Sequence, residues 1–186
     1  GGPFRPGRRR CLAEGAGPMI IRPEKLADIP AITEINQLAF GRPDEAELVN
    51  RLRRNDAFIC SLVAEVNGRL AGHILFTPVT ITHENQQTIA AGLGPLAVHP
   101  HWQNQGFGSA LSRQGLALCR QQGFGVAVVL GHPDYYPRFG FETAVAHHIR
   151  LNFPVPDDAF MVAELRPGAL AGVRGVAAYH PEFAGV

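Results

Sequence analysis

The stretch from residue 88 to residue 130 constrains the fold of this chain more than any other part. Residues 88–98 have the composition of a strand, a turn with two glycines follows, and residues 108–122 repeat their apolar side chains at helical spacing. Residues 126–130 are apolar throughout, which is typical of a strand covered on both faces. Strand, helix and buried strand form a βαβ unit, so we expect the two strands to lie parallel in one sheet.

Two helices are predicted before this unit. A short apolar strand begins at Met19, and apolar residues then recur at helical spacing from 26 to 39, with Asp28 placed to cap the helix. Residues 44–54 predict a second helix, whose few apolar side chains stand among many charges. This second helix is expected at the surface.

Two hairpins are predicted between these helices and the βαβ unit. Asn67-Gly68 favours a two-residue turn between strands at residues 58–66 and 69–81, because both residues tolerate positive φ. The polar residues 83–87 predict a second turn, which leads into a strand whose interior contains Gly94-Pro95. Since proline cannot donate to a ladder, we expect a bulge or an unpaired face at that point.

The elements after residue 130 are shorter. A helical segment is expected around residues 135–139, and strands are expected at residues 141–149, 160–165 and 176–183, with proline-rich loops between them.

Length and charge limit the classes of function. The 186 residues, 46% of them hydrophobic, suffice for one domain, which we assign to residues 19–186. The 17 basic and 16 acidic residues leave a net charge of +1, too small for the broad field that binding to nucleic acid or to a membrane surface requires. No run approaches the roughly 20 apolar residues of a membrane span. We therefore expect a soluble, cytoplasmic protein that binds neither partner.

The first 18 residues differ in composition from the rest. Residues 1–18 combine Gly, Pro and Arg without an apolar period, so they are predicted to be a disordered arm or an over-extended start before Met19. The run Arg8-Arg9-Arg10 could bind RNA or an acidic surface, but a plain tail is the preferred interpretation.

The turn Gln103-Asn104-Gln105-Gly106-Phe107-Gly108 lies between a strand end and a helix start. Free backbone N–H groups and the helix dipole attract an anion at such a point. Gly106 and Gly108 let phosphate oxygens approach the main chain, and Ser109 adds a hydroxyl. A Walker loop would need a Gly-Lys-Ser/Thr end, and a dinucleotide fingerprint would need glycine where Leu111 stands. The turn predicts a pyrophosphate site of another kind.

This turn resembles the Gln/Arg-X-X-Gly-X-Gly/Ala signature of the GNAT N-acetyltransferase superfamily, through Gln103, Gly106 and Gly108. The approach to the turn is also similar, with Val98, Pro100 and Trp102. Residues 131–141 resemble the closing Tyr-X-X-X-Gly-Phe motif, in the form seen in the YhbS-like acetyltransferases. The resemblance covers residues 19–149 well and the remainder loosely.

The resemblance implies an α/β (α+β) fold, with a mixed, mostly antiparallel sheet and helices on both faces. Strands 4 and 5 would be parallel and would splay apart at a bulge, where Gly94-Pro95 falls. The cosubstrate would be acetyl-CoA, with its pantetheine amides paired to main-chain groups of Leu96, Ala97 and Val98. Its pyrophosphate would be held by Gln103, Asn104, Gln105, Gly106, Phe107, Gly108 and Ser109.

Tyr136 is the predicted catalytic residue. It lies four residues before Gly140, where many family members place a tyrosine that protonates the departing thiolate. The alternative is a ring that packs under the cofactor, and Tyr135 is assigned to the core. The general base stays open, because residues 88–98 contain no Asp, Glu or His. The remaining candidates are His73, His132, Asp134 and a chain of water molecules.

No metal site is predicted. Cys11, Cys60 and Cys119 lack the paired spacing of zinc or redox motifs, so they are interpreted as reduced thiols, two of them in the core. The histidines place no third ligand at metal-binding spacing, and the chemistry of the family needs none.

The function implied by the resemblance is transfer of an acetyl group from acetyl-CoA to a primary amine, by direct attack in a ternary complex. The acceptor would be a small-molecule amine or a protein amino group, and a homodimer is left open. The alternative is a non-catalytic module that binds or senses acyl-CoA.

Acceptor selection is expected to depend on the helix at residues 44–54 and on the region after Leu151. Residues 179–183 could form a wall of the acceptor pocket, but an edge strand is the preferred interpretation. The basic residues Arg51, Arg53 and Arg54 suggest an acidic acceptor less strongly than a solvated helix face.

Overall fold

The computed structural model describes residues 17–186. The arm predicted at residues 1–18 therefore lies almost wholly outside the described part of the chain, and so does Cys11. Cys60 and Cys119 are both buried and free. The prediction of two core thiols is confirmed.

Three α-helices and nine strands are formed within the described residues. The helices are α1 (Ile29–Phe40), α2 (Asp44–Arg54) and α3 (Phe107–Gln121). The strands are β1 (Ile20–Pro23), β2 (Cys60–Val66), β3 (Arg69–His83), β4 (Gln86–Val98), β5 (Val126–Leu130), β6 (Glu142–Thr143), β7 (Ile149–Leu151), β8 (Phe160–Glu164) and β9 (Gly175–Ala178). All three predicted helices are confirmed.

The strands form one mixed sheet. Its order is β1-β2-β3-β4-β5-β8-β6, with β9 paired to the far half of β3 and β7 paired to β9. Neighbouring strands are antiparallel, except for β4 with β5 and β7 with β9. The parallel β4–β5 pair, joined through α3, confirms the βαβ unit. The mixed, mostly antiparallel sheet confirms the predicted fold class.

Helices cover both faces of the sheet, because successive residues of a strand point in opposite directions. On β3, Phe76 packs in a cluster that includes Leu111 of α3. The preceding residue, Leu75, packs in a cluster with Ile32 of α1 and Leu48 of α2. Helix α3 therefore lies on one face, and α1 and α2 lie on the other.

The predicted bulge lies in the middle of β4. Between the partners of Ile74 and Phe76 on β3, β4 holds two residues, Gly94-Pro95, against a single residue on β3. Gly94 has a φ of +132°, a conformation that residues with a side chain rarely adopt. Pairing of β4 with β5 ends at Leu93. The two strands therefore separate from the bulge onward.

Two predicted strands are wrong in part. Residues 141–149 are interrupted, because a 3₁₀ turn at Ala144–His147 follows β6, and His148 turns the chain into β7 with a φ of +56°. Residues 179–183 leave the sheet after β9, and Pro181–Phe183 forms another 3₁₀ turn. Its first residue is a proline, which cannot donate to a ladder.

The predicted side-chain cap of α1 is also wrong. Asp28 precedes the helix, but its carboxylate accepts hydrogen bonds from Nη1 and Nη2 of Arg22, at 2.7 and 3.0 Å. It also accepts the N–H of Lys25 at 2.7 Å. The Arg22 guanidinium lowers the pKa of Asp28. Two hydrogen bonds from one guanidinium therefore hold the carboxylate toward β1 and away from the first turn of α1.

Candidate functional site

A cavity of about 590 Å³ lies where β4 and β5 separate. One wall is formed by residues 93–96 of the bulge and by residues 130–132 at the end of β5. The opposite wall is formed by the end of α1, the start of α2 and the final residues of the chain. Tyr136 also lines this cavity. We call it the splay cavity.

The predicted pyrophosphate turn leads directly into α3. Asn104 and Gly106 have positive φ, of +60° and +90°, so the chain reverses within three residues before the helix begins at Phe107. The first N–H bonded inside the helix is that of Ala110, which donates to the C=O of Gly106 at 3.1 Å. The N–H groups of residues 107–109 therefore have no helical partner, which is the arrangement that binds an anion.

Side chains of the turn hold its shape. Nε2 of Gln103 donates to the C=O of Val98 at 3.2 Å, and Nε2 of Gln105 donates to the C=O of His101 at 3.2 Å. The ring of Phe107 is buried in the core. Trp102 meets that ring edge to face, with centroids 5.6 Å apart, as expected of a packing residue. The main chain of the turn is thus left facing outward.

Tyr135 packs against the core, as predicted, and its hydroxyl also contacts this turn. Its ring is partly buried, and its hydroxyl lies 3.3 Å from Oγ of Ser109. A Cβ at position 108 would lie 3.1 Å from the same hydroxyl, so Gly108 leaves room for this close approach. Arg138 stacks over the Tyr135 ring at 4.4 Å and donates to its C=O at 2.7 Å.

Tyr136 is buried with its ring against the end of β5. A Cβ at position 131 would lie 2.5 Å from that ring, so Gly131 makes room for it. Burial, together with the neighbouring Tyr135, raises the pKa of Tyr136 to about 12. Its hydroxyl has no hydrogen-bond partner within residues 17–186. The phenol is therefore protonated at neutral pH and can donate to a bound molecule.

The main chain of residues 96–98 lies beside the gap between β4 and β5. In an antiparallel ladder, successive residues direct their N–H and C=O groups to opposite sides. The N–H of His99 donates to the C=O of Ala71 on β3 at 2.8 Å. Ala97, two residues earlier, therefore also directs its groups toward β3. Leu96 and Val98 direct theirs toward the gap.

The final residues of the chain form a wall of the splay cavity that the preferred interpretation missed. Tyr179, His180 and Phe183 all line it. The alternative interpretation of residues 179–183 as a pocket wall is the correct one. The sequence pattern that could have indicated this wall is the presence of three aromatic or imidazole rings within residues 179–183. An edge strand does not require so many rings.

Two of the three arginines of α2 are paired with carboxylates. Nε of Arg51 donates to Glu182 at 2.8 Å, and Nε of Arg53 donates to Glu24 at 2.9 Å. These two arginines therefore offer no support for an acidic acceptor. Glu45, at the start of α2, is buried and lines the cavity.

Sequence comparison decides the family. The acetyltransferase (GNAT) domain profile matches residues 20–144. The uncharacterized N-acetyltransferase YhbS of Escherichia coli is 37% identical over 166 residues, which are 89% of this chain and 98% of that protein. The chain belongs to the GNAT acetyltransferase family.

The fold of this chain is similar to those in two crystal structures of GNAT proteins. YhbS from Escherichia coli in complex with CoA has a TM-score of 0.83 and 36% identity, over 89% of this chain and 91% of that one. A GNAT acetyltransferase from Brucella melitensis in complex with acetyl-CoA has a TM-score of 0.71 and 34% identity, over 89% and 97% of the two chains. This chain is thus an enzyme of the GNAT family with the fold of its relatives.

The base candidates of this GNAT chain lie in different places. His73 is buried in the core, and burial together with the charge of Arg53 lowers its pKa to about 3. It lies away from the cavity, so the structure excludes it as a base. Asp134 is exposed and does not line the cavity, whereas His132 is exposed and does.

His73 has a structural role instead. Nδ2 of Asn36 lies 3.2 Å from its Nδ1 and also donates to the C=O of Ile32 at 3.0 Å. Oγ of Ser61 lies 2.8 Å from its Nε2. Because the amide donates to Nδ1, the ring proton lies on Nε2 and is donated to Ser61. This network joins α1, β2 and β3.

Among the described residues, no three His, Cys, Asp or Glu side chains are grouped so that they could hold a metal ion. None of the helices between residues 17 and 186 combines the length and apolar character needed to cross a membrane.

Proposed function

We propose that this GNAT chain binds acetyl-CoA and transfers its acetyl group to a primary amine within a ternary complex. One observation carries the proposal. The unpartnered N–H groups at the start of α3 and the splay cavity lie at the same end of the β4–β5 pair, with Tyr136 in the cavity wall. A phosphate site and an open, mostly apolar cavity with a phenol donor suit the two ends of acetyl-CoA.

The turn would hold the pyrophosphate mainly through its main chain. N–H groups of residues 107–109 and the hydroxyl of Ser109 face the position of the anion, while Gln103 and Gln105 hold the turn. The pantetheine arm would enter the gap between β4 and β5 and pair with main-chain groups of Leu96 and Val98. YhbS of Escherichia coli with CoA and the Brucella melitensis protein with acetyl-CoA support this cosubstrate.

The chemical step is a direct attack. The uncharged amine nitrogen attacks the thioester carbonyl, the new C–N bond forms, and the C–S bond breaks. The nitrogen gives up one proton to solvent, and the departing thiolate takes one proton. Tyr136 supplies that proton and regains one from solvent, because it is protonated, lines the cavity and has no hydrogen-bond partner for its hydroxyl among the described residues. Holding both reactants in one cavity supplies much of the remaining rate.

The test is release of CoA thiol with a panel of primary amines. Tyr136→Phe should lower kcat by about a hundredfold while acetyl-CoA affinity stays near that of the parent. Tyr135→Phe is the matched variant, since it removes the neighbouring hydroxyl beside the phosphate turn. It should weaken acetyl-CoA binding and change kcat little.

Two results would contradict the proposal. Tight acetyl-CoA binding without thiol release for any amine would favour a non-catalytic acyl-CoA-binding module. Unchanged kcat in Tyr136→Phe would keep the transfer reaction but remove this residue from it.

A further inference from the structure

The splay cavity has room for more than the acetyl end of the cosubstrate. In the proposed function, acetyl-CoA occupies the side formed by the bulge, the end of β5 and Tyr136. The other side is left for the acceptor. Its lining residues come from the helices and from the chain's last third: Phe40, Arg42, Glu45, Leu48, Asn152, Phe153, Tyr179, His180, Pro181 and Phe183.

Among the described residues, no side chain on this acceptor side offers an unpaired negative charge. Glu45 is the sole acidic side chain among the described residues that line the cavity. Both of its carboxylate oxygens accept hydrogen bonds from Nε of Arg42, at 2.9 and 3.1 Å. A polyamine or an aminoglycoside would bring several ammonium groups into this space without a partner for each. Burying an unpaired charge is strongly unfavourable.

The acceptor side also offers little attraction for an anionic acceptor. The Arg42 guanidinium is engaged by Glu45, and Asp44 lies 3.8 Å from it. Nδ1 of His180 accepts the N–H of Glu182 at 3.1 Å, so the ring presents Nε2 as a donor. The side-chain charges of Arg42 and Glu45 on the acceptor side therefore nearly cancel.

What the acceptor side does present is aromatic surface. Phe40 and Phe153 are 39% and 48% exposed, although both face the cavity. Tyr179 and Phe183 also line the cavity and form a ring pair with centroids 5.0 Å apart. Exposed rings that line a concave space are stabilised when an apolar molecule covers them.

We infer that the acceptor is a monoamine whose single amino group is carried on an aromatic, uncharged body. This inference rests on the proposed function and names its substrate class. The amino group would face the thioester, and the aromatic body would lie among Phe40, Phe153 and the Tyr179–Phe183 pair.

The experiment compares four probes by kcat/KM, calculated on the uncharged amine. Phenethylamine and ethylamine differ only by a phenyl ring, while spermidine and kanamycin carry several amino groups. We expect phenethylamine to exceed each of the others by about tenfold or more. A preference for spermidine or kanamycin overturns the inference and leaves the proposed function standing. Absence of thiol release with all four, despite acetyl-CoA binding, overturns both.

A pair of variants locates the aromatic site. Phe153→Ala should bring the phenethylamine-to-ethylamine ratio down by about tenfold without changing acetyl-CoA affinity. Val145→Ala is the control, because Val145 is similarly exposed, at 46%, but lines a neighbouring groove and not the splay cavity. An unchanged ratio in Phe153→Ala, or an equal fall in the control, overturns the inference.

Discussion

Nε of Arg51 donates a hydrogen bond of 2.8 Å to Oε2 of Glu182 and joins α2 to the end of the chain. Nδ2 of Asn55 donates to the other carboxylate oxygen at 3.1 Å. The adjacent Phe183 packs against the cluster of α1 and α2 that includes Leu48. We call the contacts of Glu182 with Arg51 and Asn55 the clasp. The clasp holds the wall of the splay cavity that lies opposite the bulge.

Glu182→Gln should loosen that wall. We expect KM for the amine to rise by about three- to tenfold, with acetyl-CoA affinity unchanged, because only the acceptor side of the cavity loses its position. The pair is partly exposed, with side chains 31% accessible on each side. Added salt should therefore raise the amine KM of the parent toward that of the variant. Steady-state kinetics at two salt concentrations measures both effects.

Glu24→Gln is the matched control for the clasp. Glu24 accepts a hydrogen bond of 2.9 Å from Nε of Arg53, on the same helix, and does not line the cavity. Equal changes in amine KM for both variants would mean that the effect comes from loss of stability in α2.

His73 should make stability depend on pH. Its pKa is lowered from 6.5 to about 3 in the folded chain, so the unfolded chain binds one more proton between these values. The free energy of unfolding should fall as pH drops below 6.5, by up to about 1.4 kcal/mol per pH unit from this residue. Urea unfolding at a series of pH values measures the slope.

His73→Gln keeps a donor and an acceptor between Asn36 and Ser61 and removes the titration. The slope below the usual histidine pKa should decrease in this variant. His132→Gln, at an exposed position, should leave the slope unchanged. An undiminished slope in His73→Gln would assign the pH dependence to other groups.

Gly108→Ala tests the contact between Tyr135 and the turn at residues 103–108, which is proposed to hold the pyrophosphate. The added Cβ would lie 3.1 Å from the Tyr135 hydroxyl, so that hydroxyl has to shift by a few tenths of an ångström. We expect acetyl-CoA affinity to fall by about tenfold, although alanine favours a helix more than glycine does. Isothermal titration with acetyl-CoA gives the affinity.

The double variant Gly108→Ala with Tyr135→Phe separates this contact from other effects. Without the Tyr135 hydroxyl the new Cβ has room. The double variant should therefore lose less acetyl-CoA binding free energy than the sum of the losses in the two single variants. Strict additivity would show that Gly108→Ala acts on the turn without involving Tyr135.

Tyr136 should lose its proton only in strong alkali. Burial raises its pKa to about 12, so the proposed proton donor is intact well above neutral pH. Activity should rise with pH as the acceptor amine loses its proton, and no loss due to Tyr136 should occur below about pH 10. An earlier alkaline decline that disappears in Tyr136→Phe would contradict the buried position of the phenol.

Local patterns predicted the frame of the site well. Asn67 and Gly68 have φ of +50° and +76°, as their hairpin requires. The apolar run of β5, the bulge at Gly94-Pro95 and the Gly-rich turn before α3 also stand where expected. Each of these depends on residues close in the chain, whose backbone preferences act without help from distant partners.

Contacts between distant residues escaped prediction. Glu182 and Arg51 are 131 positions apart, and Tyr135 contacts Ser109 because the end of β5 and the start of α3 lie side by side. His73 was a candidate base until burial placed it between Asn36 and Ser61. A charged or aromatic side chain can contact many different partners, and a sequence pattern does not specify which of them it contacts.

The sequence by itself determined the family, the order of the elements and the turn at residues 103–108, since these depend on local periodicity and on glycine and proline conformations. Only the tertiary structure decided what lines the splay cavity. It paired Glu45 with Arg42, closed the cavity with residues 179–186 and brought aromatic rings from three segments together. Those contacts arise from packing across the whole chain, where the position of each side chain depends on elements far from it in sequence.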